Sequence, residues 1–580
     1  MGRRDHRWWA PCGAGYVPGS SLCTLRGESS WTMMSGTSSS ETRCGPMSGA
    51  VSSRWARVAV GLGATAALVC CSVADPPAPK TAPGPGPHEP APPPSWAELA
   101  ARRLPLEICQ MGELPEPLLC GTFEVPEDHG APEGRRISLK VVVVPAQSER
   151  PPDDPVWIFE GGPGGAVTAR AAGSIYAGAV RARDIVLADQ RGTGGSSPID
   201  CALATATEPG VLREMYPREA LERCVEDLAR RADLLRYTSV DHARDVEHLR
   251  RALGYGQLDL RGGSYGSRAM MVYAQLYPEN VRTMFGIGVD APLSSNLAER
   301  GLSAQQALEG LSRLCAEDPV CRSLAPDLAD SSANLLAHLD DAPRRVRLDH
   351  PVATERLSST GRAFELDVQR EWLSEQLRLV LYFAFTTRAL PWAVAQAETG
   401  DWQPLVGLAL AIEKMFQSTL STGVALTVQC SENMAFDLDQ ALEHGSRTVF
   451  GNYRLEQQVR GCSAWPHLPI PPLGRSDPQV LDVPTLFLSG RFDAVTPPRY
   501  AEQARELFPV SRHVVLEEGQ HGPFDLEGAW GCVHAMWAQL LETADIAAID
   551  DSCAATMSRP AWVSDSASFW AVIDEELLPD

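Results

Sequence analysis

Short apolar runs alternate with stretches of helical periodicity along much of this chain. The runs are "ISLKVVVVPA" from 137, "VWIFEGG" from 156, "DIVLADQRG" from 184, "LDLRGG" from 258, "TMFGIGVD" from 283, "PTLFLSG" from 484 and "RHVVLEEG" from 512. Each is short, almost wholly apolar and bounded by Gly, Pro or Asp, the signature of strands buried on both faces of a parallel sheet. Between them, "SVDHARDVEHLRRALG" at 239–254 reads as a helix with Ser239 as cap and Gly254 as stop. Strands alternating with helices predict an α/β fold with a mostly parallel sheet. From 291 to 470 the rhythm changes to helical patterns such as "SAQQALEGLSRLCAED" and "LDVQREWLSEQLRLVLYFAFTTRAL". This interval is expected to be one inserted helical domain, with core segments at 99–290 and 471–580 on either side. Nothing repeats at a fixed period, which excludes a solenoid.

The amino-terminal part has a different pattern. Arg54 and Arg57 precede "VAVGLGATAALVCC" at 58–71, an apolar run too short to span a bilayer comfortably but suited to an export signal. "SVA" before Asp75 fits a small-residue cleavage site, and Met47 makes a better start than Met1, so residues 1–74 are expected to be an extension plus signal. Cys70 or Cys71 offers a second outcome, a lipid-anchored cysteine; the residues before them depart from the usual pattern, which prefers a small residue there. Ten of the 21 residues at 75–95 are proline, so 75–98 is expected to be an extended spacer. The expected location is secreted or in the cell envelope.

Composition narrows the function classes. The 580 residues are 44% hydrophobic and 21% charged, ordinary for a globular protein, and the net charge of −22 excludes nucleic-acid binding by a basic surface. Lys80, Lys140 and Lys414 are the only lysines, which reads as coding bias. From residue 75 onward there are ten cysteines: 109, 120, 201, 224, 315, 321, 430, 462, 532 and 553. An even count in an exported protein favours disulfides, and nearest-neighbour pairing gives 109–120, 201–224, 315–321, 430–462 and 532–553, though spacing alone leaves connectivity open. Neither a C-x-x-C nor a His-rich cluster supports metal binding, and no cofactor is expected.

The chemistry gathers in a few glycine-flanked stretches. Gly262-Gly263-Ser264-Tyr265-Gly266 follows the strand "LDL" and precedes the helical "YGSRAMMVYAQLYPE", matching G-x-S-x-G in the strand–turn–helix context that motif requires. A serine on such a corner is pushed out above the sheet at a helix amino terminus. Its hydroxyl still needs a base. His521 in "EEGQHGPF" lies in a loop after a strand's carboxyl end, where catalytic groups collect in open α/β sheets; His513 falls inside a strand and His534 inside a helix. The imidazole needs a carboxylate, and Asp493 in "LSGRFDAVTPP" sits just past the strand "PTLFL". The order Ser264, Asp493, His521, with 229 and 28 residues between, is that of the α/β-hydrolase fold. Two oxyanion donors are expected: the Tyr265 N–H and one from "EGGPGG" at 160–165, Gly162 by preference, with Gly161 and Gly164 as alternatives. No GK[ST] follows those glycines, which removes the phosphate-loop reading. Asp189 and Arg191 in "DQRGTGGS" are expected to hold the glycine loop by an ion pair and backbone contacts.

Taken together, "GGPGG", "DQRGTGGS", "GGSYGS", "GRFDAVTPP" and "GQHG" resemble the proline iminopeptidase and secreted tripeptidyl-aminopeptidase group of α/β-hydrolases, from about residue 105 to 560. The resemblance implies a serine exopeptidase with a helical cap that takes peptides with a free amino terminus, through an acyl-enzyme. It also implies an acidic cap residue that binds the substrate ammonium, for which Glu432 beside Cys430 is the candidate. Glu160 stands where proline iminopeptidases usually carry His, which weakens a claim of proline specificity. An esterase on the same three residues, and a catalytically inactive binding protein of this fold, are the alternatives.

Overall fold

A computed structural model describes residues 106–578 apart from 112–116, 149–150, 171–177, 202, 204–213, 291 and 418–419. The apolar run at 58–71, Cys70, Cys71 and the proline-rich stretch lie outside the described residues.

Nine strands form one sheet in the order β1-β2-β3-β5-β4-β6-β7-β10-β11. They are β1 (Glu107–Cys109), β2 (Leu118–Pro126), β3 (Arg136–Val144), β4 (Val156–Phe159), β5 (Ile185–Ala188), β6 (Leu258–Gly263), β7 (Val281–Ile287), β10 (Thr485–Gly490) and β11 (Ser511–Leu516). From β5 to β11 every pairing is parallel, while β1, β2 and β3 pair antiparallel at the other side. The burial patterns explain why the parallel strands stood out. Every residue of β4, β5 and β10 is buried, so these strands read as unbroken apolar runs. In β2 several positions are exposed, and it was not among the strands the apolar pattern predicts.

Helices pack on this sheet: α1 (Arg218–Ala229), α2 (Ser239–Ala252) and α3 (Tyr265–Leu276) before β7, and α9 (Pro498–Leu507) and α10 (Ala529–Thr543) after β10. Thr238 caps α2 by accepting from the Asp241 N–H, one residue before the Ser239 expected to do so. Between β7 and β10 lies the insertion, which includes α4 (Asn296–Glu317), α5 (Arg370–Val380), α6 (Gln403–Gln417), α7 (Thr422–Glu432) and α8 (Tyr453–Ala464). It also contains an antiparallel pair, β8 (Arg344–Leu348) with β9 (Phe364–Val368), which the helical periodicity did not foretell.

The insertion has its own apolar core, and the carboxyl-terminal segment joins it. Phe569, Trp570 and Ile573 are buried there with Leu405, Val406 and Ala409 of α6. A Cβ at Gly407 would come within 2.9 Å of the Trp570 ring, so the glycine sets how closely the two pieces approach. The end of the chain, expected to complete the sheet layer, therefore packs among the inserted helices.

All five nearest-neighbour cysteine pairs are disulfides, with Cα–Cα distances of 5.0–5.8 Å. Cys109–Cys120 ties the edge strand β1 to β2, and Cys430–Cys462 joins α7 to α8. Each closes a short loop, worth about 2–4 kcal/mol in the usual range.

The loop after β5 is organised by one guanidinium. Arg191 is completely buried and forks onto Asp245 of α2, with Nε and Nη2 each 2.6 Å from a carboxylate oxygen. Its remaining N–H groups donate to the carbonyls of Pro126, Glu127 and Arg236. Burial alone would raise the Asp245 carboxyl, but the guanidinium overrides it and holds the group below the ordinary range. Asp189 does not join this pair. It accepts from the Thr168 N–H and hydroxyl and from the Gly195 N–H, clamping the segment just past the glycine loop.

Removing Arg191 would leave Asp245 buried without its counter-charge. Arg191→Met is expected to cost roughly 3–5 kcal/mol in urea unfolding, and adding Asp245→Leu to recover much of it. A single change costing under about 1 kcal/mol would show that the pair is not what holds β2, β5 and α2 together. Because the Asp245 pKa is depressed on folding, the stability it contributes is present above the ordinary Asp value near about 3.9 and is lost as pH falls below it.

Candidate active site

The parallel strands end in near-perfect step. Gly263 is opposite Ile287, Ile287 opposite Leu488, and Gly490 opposite Leu516. Ser264, Asp493 and His521 follow β6, β10 and β11 at that one rim.

Close packing forces the shape of the first corner. A Cβ at Gly262 would lie 2.3 Å from the Gly266 carbonyl oxygen, and a Cβ at Gly266 would lie 2.3 Å from the carbonyl oxygen of Phe159 in β4. Neither position admits a side chain, so α3 can press directly onto β6 and β4. The residue between has to turn sharply: Ser264 sits at φ 54°, ψ −132°, a region L-residues rarely adopt. Its N–H donates to the Ile287 carbonyl at 2.9 Å, which ties the corner to β7. Ser264 is half-buried and is the cap of α3, whose first N–H groups have no acceptor within the helix.

Asp493 and His521 are joined by a hydrogen bond of 2.9 Å between Oδ2 and Nδ1. Asp493 is 2% exposed, and its Oδ1 accepts from the N–H groups of Val495 and Thr496 at 2.8 Å. Burial pushes this carboxyl up; the His521 ring and the Thr496 bonds outweigh that and keep it below its ordinary value, so it is ionised at neutral pH. Close by, the Thr496 hydroxyl is 2.7 Å from Asp493 Oδ2 and 2.9 Å from His521 Nδ1. The imidazole packs on Gly288, φ 55°, where a Cβ would meet the His521 ring at 3.2 Å. Gly288 directly follows Ile287, the partner of Ser264.

The insertion holds the histidine loop from the other side. The His521 N–H donates to the Tyr382 carbonyl at 3.0 Å, and the two rings meet edge to face at 5.1 Å. Phe383 packs where a Cβ on Gly522 would be. Neither Thr496 nor Tyr382 was singled out from the sequence. Thr496 was inside "GRFDAVTPP", three residues from Asp493, the distance at which a hydroxyl folds back on a turn aspartate. Tyr382 carried no signal, because its role depends on where the insertion lands.

The glycine loop passes beside the serine. A Cβ on Gly161 would be 3.3 Å from Ser264 Cβ. Gly162 is exposed at φ 121° and Gly164 lies at φ 105°, conformations that favour glycine. The insertion clamps this loop too: the Ser421 N–H donates to the Gly164 carbonyl at 2.9 Å, and Gly165 bridges Leu420. Behind Ser264, the Tyr265 hydroxyl is held by Gln190 and Ser239 at 3.1 and 2.8 Å.

Glu432, the candidate for the substrate ammonium, is engaged within the protein. It ends α7 and is buried, but its carboxylate is taken by the protein itself: Ser239 N–H at 2.7 Å, the Ser239 hydroxyl at 2.8 Å and Arg268 Nε at 3.7 Å. Through Ser239 it braces Tyr265 from behind. The other two histidines near the carboxyl end are engaged elsewhere. His513 bonds Glu502 and Ser489, and His534, pushed down to about 4 by burial, lies among Phe524, Trp530 and Trp537. Among the described residues no group of three or more His, Cys, Asp or Glu could hold a metal ion, and no helix is long and apolar enough to cross a membrane.

Similar proteins identify the family. Residues 154–528 match the alpha/beta hydrolase fold family. A tripeptidyl aminopeptidase of Streptomyces coelicolor is 27% identical over 474 residues, covering 76% of this chain and 84% of that protein. The serine protease Hip1 of Mycobacterium tuberculosis is 28% identical over 229 residues, 36% of this chain and 44% of its own. A proline iminopeptidase of Aeromonas sobria is 27% identical over 269 residues, 45% and 56% of the two chains. The chain belongs to the α/β-hydrolase fold family and is a serine hydrolase of that fold.

Proposed function

We propose that this protein is an exported serine exopeptidase that removes residues from the free amino terminus of peptides, with Ser264, His521 and Asp493 as its triad. The observation that carries the reading is the 2.9 Å Asp493–His521 couple at the same strand rim as a serine held at φ 54°. Relatives called tripeptidyl aminopeptidase and proline iminopeptidase support the peptide substrate. Five disulfides support an oxidising compartment.

In this scheme the Asp493 carboxylate fixes the His521 proton on Nδ1, leaving Nε2 as the base. The Ser264 hydroxyl attacks the scissile carbonyl as Nε2 takes its proton, and the imidazolium formed is stabilised by Asp493. The carbonyl oxygen becomes an oxyanion held by the Tyr265 N–H and by the glycine loop, with Gly162 as the second donor. His521 then protonates the departing amine. Water, activated by the same nitrogen, releases the acyl group from Ser264.

Ser264→Ala is expected to abolish labelling by a fluorophosphonate and to lower kcat at least about ten-thousand-fold. Labelling that persists in the variant would place the nucleophile elsewhere. On the wild type, acetylating the amine of a peptidyl anilide should abolish turnover. Equal rates on blocked and free substrates would remove the exopeptidase reading, and activity confined to acyl esters would replace it with an esterase.

Thr496→Val removes one hydroxyl from the Asp493–His521 couple without changing volume much. A hydrogen bond of about 1 kcal/mol corresponds to a fall in kcat of roughly fivefold, with KM unchanged. An unaltered kcat would mean that Thr496 plays no part in orienting the pair.

A further inference from the structure

Four residues of the histidine loop touch one short segment of the insertion, 382–387, which lies between α5 and α6. Gln520 Nε2 donates to the Thr387 hydroxyl at 2.6 Å. The His521 N–H donates to the Tyr382 carbonyl at 3.0 Å. Gly522 faces the Phe383 ring, which a Cβ there would meet at 3.1 Å. Asp525 completes the set: its Oδ2 accepts from the Ala384 N–H and, at 3.4 Å, from the Phe385 N–H. Of the four contacts, only the last carries a charge. Burial pushes the Asp525 carboxyl up to about 6, so it is ionised at neutral pH and bonds both N–H groups as a carboxylate. Its Oδ1 meets no donor among the described residues. Arg559 attracts it without bonding: Nη2 of that guanidinium donates to the Thr387 hydroxyl at 3.1 Å, and its Nε and Nη1 have no acceptor among the described residues. The two hydrogen bonds that Oδ2 accepts from 384 and 385 thus come from the backbone of the insertion.

This matters for the base because Asp493 and Thr496 both meet the imidazole at Nδ1. A ring bonded at one atom can still swing about that atom, so the direction of Nε2 depends on the course of residues 520–525. A general base has to lie within hydrogen-bond reach of the proton it takes, and a misplacement of about 1 Å costs on the order of a hundredfold in rate. We propose that Asp525 is a positioning residue for His521: by bonding the Ala384 and Phe385 N–H groups it seats the histidine loop on the insertion and aims Nε2 at Ser264. The proposal rests on the reading of Ser264, Asp493 and His521 as a triad. It adds a second acid, four residues beyond the base, that acts through the backbone of the loop where Asp493 acts through the ring.

The test is inactivation of the wild type and its variants by a fluorophosphonate at about pH 8, a reaction that needs His521 as base and does not depend on peptide or ester preference. Asp525→Ala should lower the limiting rate of inactivation at least about tenfold and leave the half-saturating concentration within about twofold. Asp525→Asn keeps a carbonyl oxygen for the two N–H groups and can place its amide where Oδ1 meets no donor. It should therefore recover the rate to within about threefold of wild type. A wild-type rate in Asp525→Ala, or Ala and Asn variants that are equally slow, would overturn the proposal. Should Asp525→Ala fail to fold, Asp525→Glu decides: the longer side chain keeps the acceptor but displaces the loop, so a fall of at least about fivefold is expected, and an unchanged rate rejects the proposal. Ser264→Ala is read alongside. Labelling that persists there would sink the triad and this proposal with it, whereas lost labelling beside an unimpaired Asp525→Ala would sink the proposal alone.

Discussion

A steric contact governs this site before any charge does. Because Gly262 and Gly266 lack side chains, α3 can lie against the carbonyls of β4 and against its own preceding strand at distances no Cβ would permit. Once the helix is that close, the chain has no relaxed way to pass from β6 into α3, and Ser264 takes up the strain at φ 54°. The strain is held by what surrounds it: the bond from the Ser264 N–H to β7, and the Tyr265 hydroxyl pinned by Gln190 and Ser239. The same corner starts α3, whose first N–H groups have no acceptor within the helix.

Charge then fixes the rest around the corner. Arg191, with Asp245, joins the loop after β5 to α2 and to the carbonyls closing β2, so the antiparallel strands and the parallel ones share one anchor. Glu432 reaches from the insertion to Ser239 at the head of α2, and Tyr382 reaches from the insertion to the His521 backbone. Ser421 does the same for the glycine loop. Each part of the candidate site is thus held jointly by the sheet layer and the inserted helices. The insertion is part of the scaffold of the candidate site.

The sequence exposed the parts of this arrangement that depend on local chemistry. Strands buried on both faces announce themselves as apolar runs, and the residues at 262–266, 493 and 521 sit beside glycines that a turn at a strand end requires. The even cysteine count suggested disulfides, and the structure pairs them with their nearest neighbours. Half-exposed β2 was harder to see, because its burial does not alternate cleanly and Cys120 and Gly121 interrupt the apolar pattern. The β8–β9 pair, the carboxyl-terminal segment packed on α6, and Tyr382 were invisible, since each depends on contacts between residues far apart in the chain. Glu432 is a mixed case: an acid beside a disulfide in the insertion was legible, but its contact with Ser239 was not, because only the three-dimensional course of α7 brings the two together.

Arginine's role in this acidic chain comes from geometry more than from charge. The protein carries a net charge of −22, and almost all its positive charge is guanidinium. Arg191 works because a planar fork can satisfy one carboxylate and several carbonyls at once, which an ammonium could not do from a single point. At Arg378 the fork is spent on a single partner: Nε and Nη2 donate to the two oxygens of Glu375, one turn earlier on α5. That pair braces one helix, whereas Arg191 ties β2, α2 and the loop after β5 together. What a guanidinium stabilises is therefore set by how many separate elements its five N–H groups can reach.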